Sequence, residues 1–227
     1  MNRTSALPSR AAPRVARAKP LLLRPASKLV LFVVCLLPFV WLLRGAILST
    51  MGTNVLGANP AEALIRATGD WTLRFLCITL AVTPLRKLTR QPALARFRRM
   101  LGLFTFFYGG VHFLSYSWLD MGLVWGDIVH DIAKRPFILV GTSGLLLMLP
   151  LVATSFNRAI KTLGPARWQA LHRVVYAIVL LGLLHFFWMR SAKSDYAEVS
   201  IYAVVVALLL GWRLIEWTRS GRHVRAG

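Results

Sequence analysis

Three histidines, His112, His172 and His185, each fall inside or at the mouth of a long apolar segment, and two of them lie thirteen residues apart on one such segment. Ionisable side chains are expensive in hydrocarbon and are kept there when they hold or relay something. In an all-helical membrane bundle, buried imidazoles most often hold haem iron. Other chemistry has little to stand on. The chain has no Walker loop, no G-x-G-x-x-G after a strand and no H-E-x-x-H. Cys35 and Cys77 both lie within apolar stretches, where they read as packing residues rather than a disulfide framework or a Cys-x-x-Cys redox pair. Any chemistry therefore rests on the buried histidines and a borrowed cofactor.

The elements that must position these histidines follow from composition. Hydrophobic residues make up 56% of the chain and charged residues 16%, outside the range of an ordinary soluble domain. About 20 mostly apolar residues cross a bilayer as a helix. Six stretches qualify or nearly do: Lys28–Leu48, Gly69–Leu85, Leu101–Leu119, Pro136–Phe156, Trp168–Met189 and Val199–Trp217. The expected fold is an all-α, polytopic membrane bundle of six transmembrane helices. The first stretch is expected to be retained, because a long arm precedes it and no A-x-A site follows.

The formal net charge of +20 invites a nucleic-acid reading until the charges are placed. Arg3, Arg10, Arg14 and Arg17 stand before the first span, Arg86, Lys87, Arg96, Arg98 and Arg99 after the second, Arg158 and Lys161 after the fourth, and Arg219, Arg222 and Arg225 in the tail. The alternate loops mix Arg44, Arg66, Lys134 and Arg135 with Glu62, Asp120, Asp127 and Asp131. By the positive-inside rule both termini and the basic loops are cytoplasmic. Basic residues facing anionic lipid account for the charge without nucleic acid. The organisation expected is a basic arm over 1–27, a transmembrane domain over 28–217 and a basic tail over 218–227.

Depth decides which histidines could share a ligand. At about 1.5 Å per helical residue, His112 lies roughly 16 Å in from Leu101, and His185 roughly 25 Å in from Trp168, on helices entering from the same side. Both fall in the outer half, which makes them the expected pair for bis-histidine ligation of one haem. Gly109 and Gly182 each stand three residues before one of them, on the same helix face, and Gly110 adds a third small residue. These would let a flat macrocycle approach the backbone. The bland alternative is that the glycines serve helix packing and the histidines hydrogen-bond to neighbours. His172 lies about 20 Å along the axis from His185, near the cytoplasmic face. A second haem there would want a partner thirteen or fourteen residues before His112, where the chain has Arg99 and Arg98. Arginine is a poor iron ligand, but its planar fork suits a haem propionate or a flavin phosphate. His130 and His223 are expected to be solvated.

Specific runs carry a resemblance. Arg98-Arg99-Met100-Leu101-Gly102-Leu103, Gly-Gly-Val-His112-Phe-Leu-Ser-Tyr, Thr83-Pro84-Leu85, and Leu163-Gly164 followed by Trp168-Gln169 and Leu171-His172 are similar to the MsrQ family, the haem-binding membrane subunits of MsrPQ protein-methionine-sulfoxide reductase systems. The likeness runs from about Gly57 to Trp217. More distantly the chain resembles the transmembrane domain of ferric reductases and NADPH oxidases, which holds two stacked haems between two histidines on each of two helices; here the third helix supplies only His112.

The resemblance implies a quinol-linked electron conduit of the bacterial inner membrane. It would carry one or two b-type haems and FMN, and would pass electrons from the quinone pool to a periplasmic molybdopterin-containing methionine-sulfoxide reductase, MsrP. By position, His112 and His185 would be axial ligands and His172 a third haem-associated residue. Two other classes bound this reading. A self-sufficient NAD(P)H-driven ferric reductase or oxidase needs a flavin and nicotinamide domain; with about ten residues after Trp217, such an enzyme is expected only with a separate soluble reductase. A proton- or metal-handling transporter should carry carboxylates at mid-span or broken helices in related halves; no acid lies at the centre of any of the six stretches and no internal repeat is visible.

Overall fold

The computed structural model describes the backbone of residues 21–191, 194 and 196–225, with side chains described from Leu22 to Arg219 within those limits. The expected basic arm falls outside the described residues up to Pro20, as do Lys193, Asp195 and the side chain of His223. All described secondary structure is helical: α1 Pro25–Thr50, α2 Pro60–Leu88, α3 Arg98–Ser115, α4 Trp125–Lys134, α5 Pro136–Ala153, α6 Asn157–Leu163, α7 Pro165–His172, α8 Val175–Ser191 and α9 Ala197–Arg225.

The helix boundaries have local causes. Pro25, Pro60, Pro136 and Pro165 each open a helix, where the missing N–H is one the helix could not have used. At α2 the Asn59 side chain also accepts from the Glu62 N–H at 3.2 Å, capping the first turn. Gly164, at φ 75°, breaks α6 from α7. The fifth apolar stretch is not one uninterrupted helix, because a turn at Arg173 and Val174 divides α7 from α8. The third ends early: after Ser115 the backbone loosens into a π-turn over Tyr116–Asp120. Left-handed residues at Gly122 and Leu123 then reverse it into α4, a short helix within what had read as a polar loop.

Four helical segments are long and apolar enough to cross a membrane: Pro25–Thr50, Pro136–Ala153, Pro165–Ser191 and Ala197–Arg219. The expected second and third spans are helical as α2 and α3 but do not join that set. Arg66, Asp70 and Arg74 interrupt the apolar character of α2, and α3 has 18 residues beginning with Arg98 and Arg99. These two helices take interior places in the bundle. Leu73, Leu76, Cys77 and Leu80 of α2 are buried with Met148 of α5, Ile178 and Val179 of α8 and Val206 of α9. On its other side α2 joins α1 and α3 in an aromatic layer, with Phe75 stacked on Tyr108 at 5.1 Å and on Phe104 at 5.8 Å. The outer helices leave large apolar side chains open, such as Leu29, Val30 and Trp41 of α1 and Ile201, Val204 and Leu208 of α9. A bilayer would cover such a surface.

One contact in this layer repairs a helix. Pro38 sits inside α1, where its ring disturbs the hydrogen-bond ladder. The hydroxyl of the fully buried Tyr108 enters that gap, accepting from the Phe39 N–H at 3.0 Å and donating to the Cys35 carbonyl at 2.9 Å.

Candidate functional site

His112 on α3 and His185 on α8 face one another across the interior, with ring centroids 6.1 Å apart and ring planes at 74°. Each ring is pinned from a different helix. His112 Nδ1 lies 2.8 Å from the Ile65 carbonyl of α2, and His185 Nδ1 lies 2.6 Å from the Phe137 carbonyl of α5. A carbonyl only accepts, so each Nδ1 carries the proton and donates, and each Nε2 is left with its lone pair. This is how proteins prepare histidines for a metal, with one nitrogen oriented by a carbonyl and the other free to bind. The spacing is close to what a shared metal needs: two metal–imidazole bonds of about 2.0–2.1 Å, extended by about 1.2 Å to each ring centre, would place the centroids about 6.4–6.6 Å apart.

The space around the pair is a cavity of about 460 Å³, within the usual range for cofactor sites. Its deep part is apolar, lined by Leu73, Leu76, Leu145, Met148 and Ile178. Its mouth is polar, lined by Asn59, Glu62, Arg66, Asp120 and Arg135. The mouth opens at the end of the bundle that carries α4 and the α1–α2 connection. There Arg66 pairs with Glu62 at 2.6 Å and Arg135 Nε with Asp131 at 2.8 Å. Tyr116 donates to the other oxygen of the buried Asp131 at 2.6 Å, tying the π-turn to α4. Partial burial pushes the Asp120 carboxyl above the usual range, against the pull of nearby Arg135.

Glycines make the room, but not chiefly the ones the sequence pointed to. Gly109 and Gly182 do line the cavity. The glycines against the imidazoles are Gly69 on α2 and Gly141 on α5. A Cβ at Gly69 would meet His112 Cε1 at 3.1 Å, and one at Gly141 would meet His185 Nδ1 at 2.7 Å. They stand on the facing helices, four residues after the carbonyls that pin the rings, so one turn of α2 and one of α5 each provide both an acceptor and a gap. Gly110 points into open space. Nothing in the spacing around His112 or His185 reveals this cradle, which depends on which helices pack together. A pair of imidazoles with free Nε2 atoms, in a largely apolar slot bordered by glycine backbone, fits a flat iron macrocycle.

His172 is placed apart from this pair. Its ring stacks on Trp168 at 3.9 Å, and its Nε2 lies 3.1 Å from Thr154 Oγ1. That hydroxyl donates to the Pro150 carbonyl at 2.7 Å, so His172 donates to it through Nε2. The nitrogen left free on His112 and His185 is the one engaged on His172. Arg98 and Arg99 are close enough to His172 to act on it electrostatically, and Arg99 Nη1 also donates to Asn157 Oδ1 at 2.7 Å. Neither arginine reaches the cavity between His112 and His185. His130 is exposed on α4. Among the described residues no group of three or more His, Cys, Asp or Glu side chains could hold a metal ion, so histidine ligation here means a pair.

Arg74 went unremarked in the sequence although an arginine inside an apolar stretch is itself a signal. It lies over the Trp71 ring at 4.9 Å, and its Nε donates to the Tyr202 hydroxyl of α9 at 3.1 Å.

Comparison with known proteins gives the family. Residues 68–183, which contain His112 and His172 and end two residues before His185, match the family described as "Ferric reductase like transmembrane component". The chain is 63% identical over 204 residues to a protein of Polaromonas naphthalenivorans, covering 89% of this chain and 91% of that one. It is 53% identical over 196 residues to one of Ralstonia nicotianae, covering 86% and 88%, and 50% identical over 205 residues to one of Bordetella pertussis, covering 89% and 96%. Each of these relatives is named "Protein-methionine-sulfoxide reductase heme-binding subunit MsrQ". No solved structure matches. With four helices able to cross a membrane and a transmembrane family match, it is a multi-pass protein of the bacterial inner membrane. Sequence likeness over nearly the whole chain and the family match across its helical core together assign the protein to the MsrQ family of ferric reductase-like membrane components.

Proposed function

We propose that this chain is a b-haem electron-transfer subunit that takes electrons from the respiratory quinone pool and delivers them to a periplasmic molybdopterin methionine-sulfoxide reductase of the MsrP type, supporting repair of oxidised periplasmic proteins. The observation that carries the reading is the His112–His185 pair, each ring pinned through Nδ1 with Nε2 free, 6.1 Å apart. Both residues would hold the haem iron through Nε2. The haem supplies one-electron chemistry, and the protein sets its potential by ligand identity, burial and nearby charge. Ile65 and Phe137 hold the imidazoles in the ligating tautomer, while Gly69 and Gly141 leave the rings room. The apolar inner wall would keep water from the bound haem.

In this reading the mouth of the cavity faces the periplasm and both termini face the cytoplasm, in keeping with the charge asymmetry of the loops. The basic arm over 1–27 and tail over 218–227 then flank the transmembrane domain over 28–217 and meet anionic lipid. The cytoplasmic cluster of His172, Arg98 and Arg99 serves the electron-entry side, holding FMN phosphate or the carboxylates of a second haem.

The test is a reduced-minus-oxidised visible spectrum of detergent-purified protein, with haem quantified per polypeptide as the pyridine haemochrome. A b-type α-band with one or two haems per chain is expected. Well-folded protein without haem would overturn the reading.

A further inference from the structure

The cavity between the histidines has two chemically different ends, and its polar end is built in a particular way. Counting along α2 from Arg66 to Leu76, and along α5 from Arg135 to Met148, the walls pass from cationic to wholly apolar over about 15–20 Å. A b-type macrocycle has the same polarity: a hydrocarbon rim and two carboxylates along one edge. The two arginines also sit next to the groups that pin the ligands. Arg66 follows Ile65, whose carbonyl holds His112, and Arg135 lies two residues before Phe137, whose carbonyl holds His185. One cation therefore borders each side of the slot. We propose that Arg66 and Arg135 clamp the two haem propionates at the α4 end of the cavity. The proposal rests on the haem reading above and adds which way the macrocycle faces and what charge it meets.

Both arginines already have carboxylate partners, but neither is spent. The pair with Glu62 engages Nη2 of Arg66, and the pair with Asp131 engages Nε of Arg135. A guanidinium offers five N–H donors in a rigid fork, so further donors remain for a second carboxylate. The same pairs fix the direction of the forks: Glu62 stands one turn before Arg66, and Asp131 is buried and held by Tyr116. The other titratable groups facing the mouth are Glu62, Asp70, Asp120 and Tyr116. None of them adds positive charge, so the cations lining the cavity that would accept propionates at this end are Arg66 and Arg135.

A clamp of this kind favours the reduced haem, because an added electron is stabilised by positive charge beside it. The test uses the full-length haem-loaded protein in detergent, titrated spectroelectrochemically at low salt. Arg66→Gln and Arg135→Gln are each expected to shift the reduced-to-oxidised ratio at fixed potential about three- to tenfold toward oxidised, a lowering of up to about 59 mV for one electron. The double variant should also acquire a midpoint potential that falls as pH rises, because unclamped propionates take up a proton on reduction. Arg66→Lys and Arg135→Lys should restore most of the potential, and Arg44→Gln, whose side chain is exposed away from the cavity, should leave it unchanged. Bound low-spin haem with the same potential in both Gln variants would overturn the clamp. So would haem loss from the Lys variants as well as the Gln variants, which would make the arginines structural. Absence of haem from the unsubstituted protein is a different result and would remove the haem reading itself.

Discussion

Gly141→Ala is the substitution in which the geometry of the site makes its hardest commitment. The added methyl carbon would stand 2.7 Å from Nδ1, 2.9 Å from Cε1 and 3.1 Å from Cγ of His185. Restoring ordinary contact requires the ring to retreat by about 0.7 Å. The ring cannot do so freely, because Phe137, whose carbonyl holds it at 2.6 Å, is on the same helix one turn earlier. Moving away from the methyl therefore stretches that hydrogen bond toward about 3.3 Å, beyond good geometry. Overpacking costs about 1–3 kcal/mol and the weakened hydrogen bond about 1 kcal/mol. Alanine returns about 1 kcal/mol over glycine in a helix. The net is about 1–3 kcal/mol against the ligating position of His185, in line with the ten- to hundredfold affinity losses seen when a group that orients a ligand is lost. The assay is haem retained per polypeptide after detergent purification, with the low-spin spectrum as a second readout. Gly69→Ala should act in the same direction but less, since its nearest approach to His112 is 3.1 Å, and Gly110→Ala, which meets nothing within 4 Å, should bind haem normally. Full low-spin haem in Gly141→Ala, or the same loss in all three variants, would refute the cradle.

Other outcomes follow from the same contacts. His112→Ala and His185→Ala should each abolish the low-spin signal of the principal haem, while His172→Ala, whose ring lies on Trp168 and Thr154, should spare much of it; equal loss in all three would remove the distinction. Tyr108→Phe leaves the Phe39 N–H and the Cys35 carbonyl beside Pro38 without their shared partner, and should cost about 1–3 kcal/mol of stability in a denaturation series in detergent. Asp131→Asn weakens the hold on both Tyr116 and Arg135. It should open amide hydrogen exchange in α4 and the π-turn, with little change in α9.

The sequence by itself determined the membrane character, the helical class and the pairing of His112 with His185. Apolar run length, charge placement and helical rise are local properties, and at about 1.5 Å per residue a depth can be counted without knowing any neighbour. Counting also separated His172 from the other two. Tertiary structure decided everything that depends on which helices touch. Runs of sequence before His112 and His185 contain Gly109 and Gly182, so those were the visible glycines. The ones that hold the rings, Gly69 and Gly141, are more than forty residues away in sequence and become relevant only because α2 packs on α3 and α5 on α8. The Ile65 and Phe137 carbonyls carry no side-chain signature at all, since any residue has a backbone oxygen. Run length likewise placed α2 and α3 among the spans but could not show their interior position. That position suits a polar residue such as Arg74, which finds partners in Trp71 and Tyr202 inside the bundle, because lipid offers buried polar groups no hydrogen bonds.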